Sequence, residues 1–336
     1  VMVNIGIIGA GSYGAQHAEA IAAVDGVQLV AASRTTAPAL NEFIARYGGT
    51  GYTDYHDLLA DSAVDAVVIA TPHHQHTAIV EAAARAGKHI LLEKPMAPTA
   101  AECDHILAVT AAASVTLMVG HVNHFSPSYV RAKEMLDSGE MGEVVLGVST
   151  MSKFWFESNR RGWHLDRASG GGMWLTAGIH CLDRLTWLVN SVVVSTSAQL
   201  STRFHDQQAD DVGMIFLRYA SGAAGTIVST GYASGAPKHL TELTCTRGML
   251  NIDYTGGVTT GRDEQWLNVY TPADDDWMHA ALVGEWQAFL RAVGTGETPA
   301  VSGEFARHIM DVIFAAEESS QTGREVAVAY QPPELM

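Results

Sequence analysis

Two hydrophobic periods alternate along the first third of the chain. Short apolar runs at Val3–Ile8, Val27–Ala32, Val64–Ala70, His89–Leu92 and Thr116–Gly120 read as strands buried on both faces. Between them, Tyr13–Ala23, Ala37–Tyr47, His76–Ala86 and Thr99–Ala113 carry helical patterns. Strand and helix in strict alternation predict right-handed βαβ units and a parallel, doubly wound sheet. Asp54 and Thr99 are candidate N-caps, and Gly87, soon after Arg85, a helix end. One more helix, Pro127–Ser138, is followed by the break Gly139-Glu-Met-Gly142, and the pattern then changes. Strand-like runs follow at Val144–Thr150, Val192–Thr202, Gly213–Tyr219, Ala224–Ser229, Leu240–Thr246 and Met249–Tyr254, with turns at Gly222, Gly231 and Gly248. Helices are expected at Ser169–Leu188, His279–Val293 and Glu304–Ser320, and a surface strap after Tyr330. The reading is an α/β Rossmann domain over 1–124, then an α+β domain over 125–336 with a large, mostly antiparallel open sheet.

Length agrees with two domains, since 336 residues exceed the ~250–300 at which one core stops growing. A net charge of −16 argues against nucleic acid or an anionic membrane as partner, because both need a basic face. Cys103, Cys181 and Cys245 lack the paired spacing of a disulfide framework or a zinc site. With no leader-like opening and no apolar run approaching the ~18 residues of a membrane span, a cytoplasmic protein is expected.

Candidate chemistry gathers where strands end, which in an open parallel sheet is where ligands bind. Val3–Ile8 runs into Gly9-Ala-Gly11-Ser12-Tyr13-Gly14 and a helix. These glycines fit a dinucleotide fingerprint: a tight turn, close backbone approach to a pyrophosphate, and close helix packing. The second strand ends in Ser33-Arg34-Thr35, with no acid for an unphosphorylated ribose. Ser33 and Thr35 can donate to a 2′-phosphate and Arg34 can grip it, so NADP is expected over NAD. Arg34 as a solvated residue, or stacked on adenine, stays open. Lys94 ends a buried run and is followed by Pro95, which removes a donor and disfavours helix before it. A charge at that edge reads as chemical, with a salt bridge to Glu93 as the structural alternative.

With Gly9-x-Gly11-x-x-Gly14, Thr71-Pro72-x-x-x-His76, Glu93-Lys94-Pro95 and Gly170-Gly-Gly-x5-Gly178-Ile-His180-x-x-Asp183 in register, the chain resembles the Gfo/Idh/MocA oxidoreductases over nearly its whole length. The resemblance implies pyridine-nucleotide oxidation or reduction of an alcohol–ketone pair, typically on sugars, cyclitols or related cyclic diols. It matches Lys94 to the lysine beside the reacting oxygen and His180 to the histidine facing it from the second domain. Thr71, Pro72 and His76 match the loop along ribose and nicotinamide, and Asn123 an asparagine near the nicotinamide end. Many members carry Asp four residues before the histidine; here that position is Thr176, which cannot serve as a base near neutral pH. Branches resembling dihydrodiol or dihydroxyphthalate dehydrogenases also depart there. The resemblance further implies a homodimer or homotetramer through the second-domain sheet.

Lys94 and His180 are therefore the expected catalytic pair, with Glu93 orienting or neutralising part of the site. His73, His74 and His76 read as a loop over the cofactor, with His76 the best contact, and no metal site is expected. Arg160 and Arg161 suit a substrate carboxylate or phosphate and Trp163 a flat ring face, though a solvated arginine pair stays open. His164, Thr176 and Asp183 complete the expected substrate side, Asp183 to orient or pack. The function read is an NAD(P)-dependent dehydrogenase of a cyclic polyol, sugar or dihydrodiol. The alternatives are an NADPH-dependent keto-sugar reductase and a non-catalytic nucleotide-binding sensor.

Overall fold

A computed structural model describes residues 2–156, 160–255, 257–273, 276–330 and 332. The chain begins β1 (Val3–Ile8), α1 (Ser12–Ile21), β2 (Val27–Ser33), α2 (Ala37–Tyr47), β3 (Thr50–Tyr52), α3 (Tyr55–Ala60), β4 (Ala66–Ile69), α4 (His76–Arg85), β5 (His89–Glu93), α5 (Ala100–Ala113) and β6 (Leu117–Gly120). Its parallel sheet has the order β3-β2-β1-β4-β5-β6, reversing direction of growth between β1 and β4. β4 and β6 are buried at every position, which is why their sequences run apolar without alternating. Asp54 caps α3 by accepting from His56 N–H, and Thr99 caps α5 by accepting from Glu102 N–H. The three-residue edge strand β3 was not expected from the pattern, and short α3 was signalled only by its N-cap Asp54; neither is long enough to display a period.

There follow α6 (Pro127–Asp137), β7 (Val144–Phe154), α7 (Ile179–Val189), β8 (Val193–Ser201), β9 (Val212–Tyr219), β10 (Ala224–Tyr232), β11 (Lys238–Cys245), β12 (Gly248–Asp253), β13 (Gly257–Arg262) and β14 (Gln265–Tyr270). Last come α8 (Trp277–Thr295), α9 (Gly303–Thr322) and β15 (Val326–Ala327). The second sheet has nine strands in the order β14-β13-β12-β11-β7-β10-β9-β8-β15, antiparallel except between β7 and β10. On β9 buried and exposed residues alternate strictly, so one face is covered and the other is bare. The bare face presents Leu146 and Val148 of β7, Met214 and Phe216 of β9, and Trp266 of β14. No helix among the described residues is long and apolar enough to cross a membrane.

Contacts divide the chain into two compact units, and the division differs from a single cut near residue 124. Unit 1 is Val1–Val122 with Met278–Ala306; unit 2 is Asn123–Trp277 with Arg307–Leu335. Hydrophobic burial explains the return of the chain to unit 1. α8 buries Ala281, Leu282, Trp286, Phe289 and Ala292, Trp286 donates its indole N–H to His17, and Val301 O accepts from Val119 N–H. The strap expected after Tyr330 lies, apart from Pro332, outside the described residues.

Candidate active site

In unit 1 the carboxyl ends of β1, β2 and β4 open onto a cleft of about 590 Å³, lined among others by Gly9, Gly11, Ser33, Arg34, Thr35 and Thr71. Gly9 has φ +103°, and a Cβ there would meet Ala70 O at 2.5 Å, so glycine is required at the turn. A Cβ on Gly14 would strike Gly9 O at 2.5 Å, whereas at Gly11 nothing lies within 4 Å. The first glycine makes the turn, the third packs the helix, and the second leaves backbone open to the cleft. α1 starts at Ser12 with no side-chain cap and no acid in its first turn. Its free amides and dipole thus suit an anion, and the residues fit a dinucleotide pyrophosphate. Arg34 donates from Nη1 to Ala10 O at 3.0 Å, holding its guanidinium beside the glycine turn. Pro72 also lines the cleft, as do Thr53, Asp54, Tyr55 and Gln75, which sequence reading missed as site residues. Asp54 was legible as a cap; its place at the mouth of the cleft depends on the unanticipated β3.

Lys94 sits half-buried immediately after β5, at the same end of the sheet as the glycine turn, and its bond to Pro95 is cis. Glu93 does not share that exposure. It is 5% exposed and accepts from His17 Nε2 at 3.0 Å, while Trp286 Nε1 donates to His17 Nδ1 at 3.2 Å. An indole only donates, so Nδ1 carries the lone pair and the ring proton lies on Nε2, toward Glu93. His17, Glu93 and Glu285 bring ligand atoms within 4.8 Å of one another, but a metal on Nε2 would need that proton removed. Glu93, expected at the cofactor to orient or neutralise part of the site, is a buried partner of His17. Tyr13 packs edge-on against His17, its hydroxyl pKa raised by burial and by Glu93 and Glu285.

His76, expected to be the best contact of its loop with the cofactor, is fully buried, with Nδ1 3.0 Å from Pro95 O and Nε2 3.1 Å from Thr71 O, so both ring nitrogens face backbone carbonyls. Burial lowers its pKa. The ring ties the loop after β4 to the loop after β5, and so positions Thr71 and Lys94 from behind.

In unit 2, Gly170–Gly172 lead into a π-helical turn at Trp174–Gly178 and then α7, where one helix from Ser169 had been expected. Gly170 and Gly172 have φ +87° and +101°, and a Cβ on Gly171 would meet His164 O at 2.4 Å. Chain cannot enter a helix through that loop without unwinding. Thr176 and His180, four apart, are the two partly exposed residues between Gly171 and His180. Asp183 has no exposed surface and accepts from His124 Nε2 at 2.8 Å, His124 being stacked on Trp187. Asp183, placed on the substrate side to orient or pack, forms a buried pair with His124.

Asn123, expected near the nicotinamide, is 1% exposed; Tyr254 donates to its Oδ1 at 2.9 Å, and its Nδ2 lies 3.4 Å from His180 Nδ1. Behind it stands Arg184, one helical turn after His180 and fully buried, a residue sequence reading passed over. Arg160 donates from Nε to Trp155 O at 2.7 Å and lies over the Trp155 ring, so it already has a structural task. Trp163 stacks one face on His164 at 3.6 Å, and Arg161 N–H donates to His164 Nδ1. Glu157, Ser158 and Asn159, just before this segment, lie outside the described residues.

Known proteins agree with this geometry. Residues 3–121 match the model of an oxidoreductase family with an NAD-binding Rossmann fold, and residues 129–251 match the GFO/IDH/MocA C-terminal domain. A myo-inositol 2-dehydrogenase of Thermotoga maritima is 28% identical over a 337-residue alignment, covering 96% of this chain and 98% of its own. A 1-carboxy-3-chloro-3,4-dihydroxycyclohexa-1,5-diene dehydrogenase of Comamonas testosteroni is 34% identical over 208 residues, 62% of this chain and 52% of that protein. The crystal structure of a probable dehydrogenase from Thermotoga maritima superposes with a TM-score of 0.83 at 26% identity, covering 97% of this chain and 99% of that one.

Proposed function

Because the chain belongs to the Gfo/Idh/MocA oxidoreductase family, an NAD(P)-dependent group acting on CH–OH carbons, we propose that it moves hydride to or from the ring carbon of a cyclic polyol or dihydrodiol. The observation that carries this reading is Lys94 at the carboxyl end of β5, on the sheet edge where the glycine turn after β1 opens its cleft. The inositol and dihydroxycyclohexadiene dehydrogenases among its relatives support a cyclic diol as substrate.

When bound, the nicotinamide supplies or accepts the hydride; the protein orients the substrate and manages one proton. The amides of Gly11 and the first turn of α1 hold the pyrophosphate. Lys94 faces the substrate oxygen, where in oxidation its neutral amine takes the hydroxyl proton and the ammonium so formed stabilises the developing alkoxide. His180 holds the same oxygen by a hydrogen bond. Thr176 supplies no carboxylate, so the reacting hydroxyl is left to Lys94 and His180.

NADP is the proposed cofactor ahead of NAD. Ser33, Arg34 and Thr35 end β2 without an acid, and Arg34 is already held beside the glycine turn. Ser33→Asp should shift preference toward NAD by placing a carboxylate against a 2′-phosphate; an unchanged preference would remove this part of the reading. A second copy of the chain is the proposed occupant of the bare sheet face, whose exposed Leu146, Met214 and Trp266 suit burial in a dimer. A cytoplasmic enzyme is part of the proposal, its cofactor being a diffusible nucleotide.

Nicotinamide absorbance with NADP or NAD and a panel of inositols, dihydrodiols and sugars tests the function. Turnover on a cyclic diol is expected. Nucleotide binding without turnover of any panel member would favour a sensor instead.

A further inference from the structure

We propose that Arg184, acting through Tyr254 and Asn123, fixes the ring proton of His180 on Nε2, so that His180 donates to substrate oxygen and Lys94 alone exchanges the proton. The inference rests on the proposed dehydrogenase reading for its chemical consequence, but not for the proton assignment itself.

The assignment starts from the one group whose direction is not negotiable. A guanidinium only donates. Arg184 Nη1 donates to Tyr254 Oη at 2.6 Å, so the tyrosine's own proton goes to its other partner, Asn123 Oδ1, at 2.9 Å. That choice orients the amide, with oxygen toward Tyr254 and NH₂ toward His180. Asn123 Nδ2 lies 3.4 Å from His180 Nδ1 and 3.5 Å from the His180 carbonyl, one donor shared between two acceptors. A ring nitrogen facing an amide N–H must present its lone pair. Neutral imidazole carries one proton, and here it belongs on Nε2.

Nothing in the chain of contacts invites reversal. Turning the Asn123 amide would face its NH₂ toward Tyr254, whose proton would then lose its acceptor. Arg184 cannot yield, because its other donors are committed: Nε to Ser149 Oγ at 2.8 Å, Nη2 to Thr150 O at 2.9 Å and to Cys181 Sγ at 3.3 Å. Trp277 stacks on the Tyr254 ring at 4.1 Å, and Arg184 lies over both Tyr129 and Tyr254 at 5.4 Å. None of these partners of Arg184 is a carboxylate. A fully buried cation held by dipoles and ring faces is costly, which sets it apart from ordinary packing.

With Nε2–H filled and Nδ1 engaged, neither nitrogen is open to take a proton. In oxidation the substrate O–H bond breaks as hydride leaves its carbon. The proton passes to the neutral amine of Lys94, and His180 Nε2–H hydrogen-bonds the oxygen as it becomes a carbonyl. Reduction runs the same transfers backwards. Asn123 and Tyr254 are positioning residues in this scheme, as is Arg184.

Nitrogen NMR of protein labelled with ¹⁵N-histidine tests the assignment, the His180 signals being identified by their absence in His180→Gln. Unprotonated Nδ1 and protonated Nε2 are expected at neutral pH in the native protein. Tyr254→Phe keeps the ring and its stacking but loses both hydrogen bonds, and should give His180 a mixture of tautomers while the other histidine signals stay put. A proton found on Nδ1, or an unchanged His180 spectrum in Tyr254→Phe, would overturn the proposal whether or not a substrate is known. On any substrate turned over, the same variant should lose at least about tenfold in kcat with little change in KM, as expected for a misplaced ring proton. If the tautomer is as assigned but no substrate is found, only the dehydrogenase reading is weakened.

Discussion

Glu93 and Lys94 share a peptide bond and lead opposite lives, because successive strand residues point to opposite sides. The carboxylate turns into unit 1 against His17, and the lysine stays at the edge of the sheet. Lys94→Ala is expected to lower kcat by about 10²–10⁴ with nucleotide binding retained, the range for loss of a general acid–base group. Fluorescence titration with NADPH beside steady-state rates would check both halves; full turnover would end the role given to the lysine. Gly120 serves Glu93 from β6, where an added Cβ would meet Glu93 Oε1 at 2.8 Å. Gly120→Ala should destabilise the protein by about 1–3 kcal/mol, the cost of overpacking, as read by urea unfolding. Lys94 was legible because Pro95 marks where its strand stops. His76 was not, since a histidine in a loop looks the same in sequence whether it meets solvent or is pinned between two carbonyls. Arg184 left no signal either, as its meaning depends on Tyr254, distant in sequence.

At the scale of elements, the helix bearing Thr176 and His180 is held at its start by Asp210, whose Oδ2 accepts from Trp174 N–H at 2.7 Å. Burial pushes the Asp210 pKa up to about 7, with Glu317 adding to the rise and the Trp174 N–H and Arg167 opposing it. Unfolded, the same carboxyl titrates near ~3.9. Between those values the folded state keeps a proton the unfolded state has released, so the stability it contributes is full at low pH and is lost as pH rises through about 7. The Tm of the native protein should therefore fall relative to Asp210→Asn as pH is raised from about 5 to about 8. Parallel melting curves for the two would rule this out. Most elements could be read from periodicity, and the βαβ alternation disclosed a parallel first sheet without disclosing its strand order. The β13–β14 hairpin escaped because its turn, Asp263-Glu264, takes left-handed φ values of 49° and 63° without the usual Asn-Gly.

For the whole molecule, the bare face of the nine-stranded sheet is the apolar surface that calls for a partner. Leu146, Met214 and Trp266 are each more than half exposed, at 51%, 59% and 51%. Light scattering should give at least a dimer for the native protein, and Met214→Lys with Leu146→Glu should yield monomers that keep their far-ultraviolet circular dichroism. A native monomer would leave that face without its proposed occupant. The interleaving of the two units was not legible in the sequence, since nothing in the pattern of α8 says which core its apolar stripe will cover.

That interleaving has a consequence for recombination. The backbone passes between units at Val122–Asn123, Trp277–Met278 and Ala306–Arg307, the last inside α9. A gene fragment ending at Val122 would encode the glycine turn and Lys94, yet leave His17 without Trp286 and a core open where Phe289 belongs. Exchange of cofactor specificity between relatives by swapping one contiguous stretch would thus produce chimaeras with mismatched interiors. Inheritance of the nucleotide site as a working module requires two separated exons' worth of sequence to travel together.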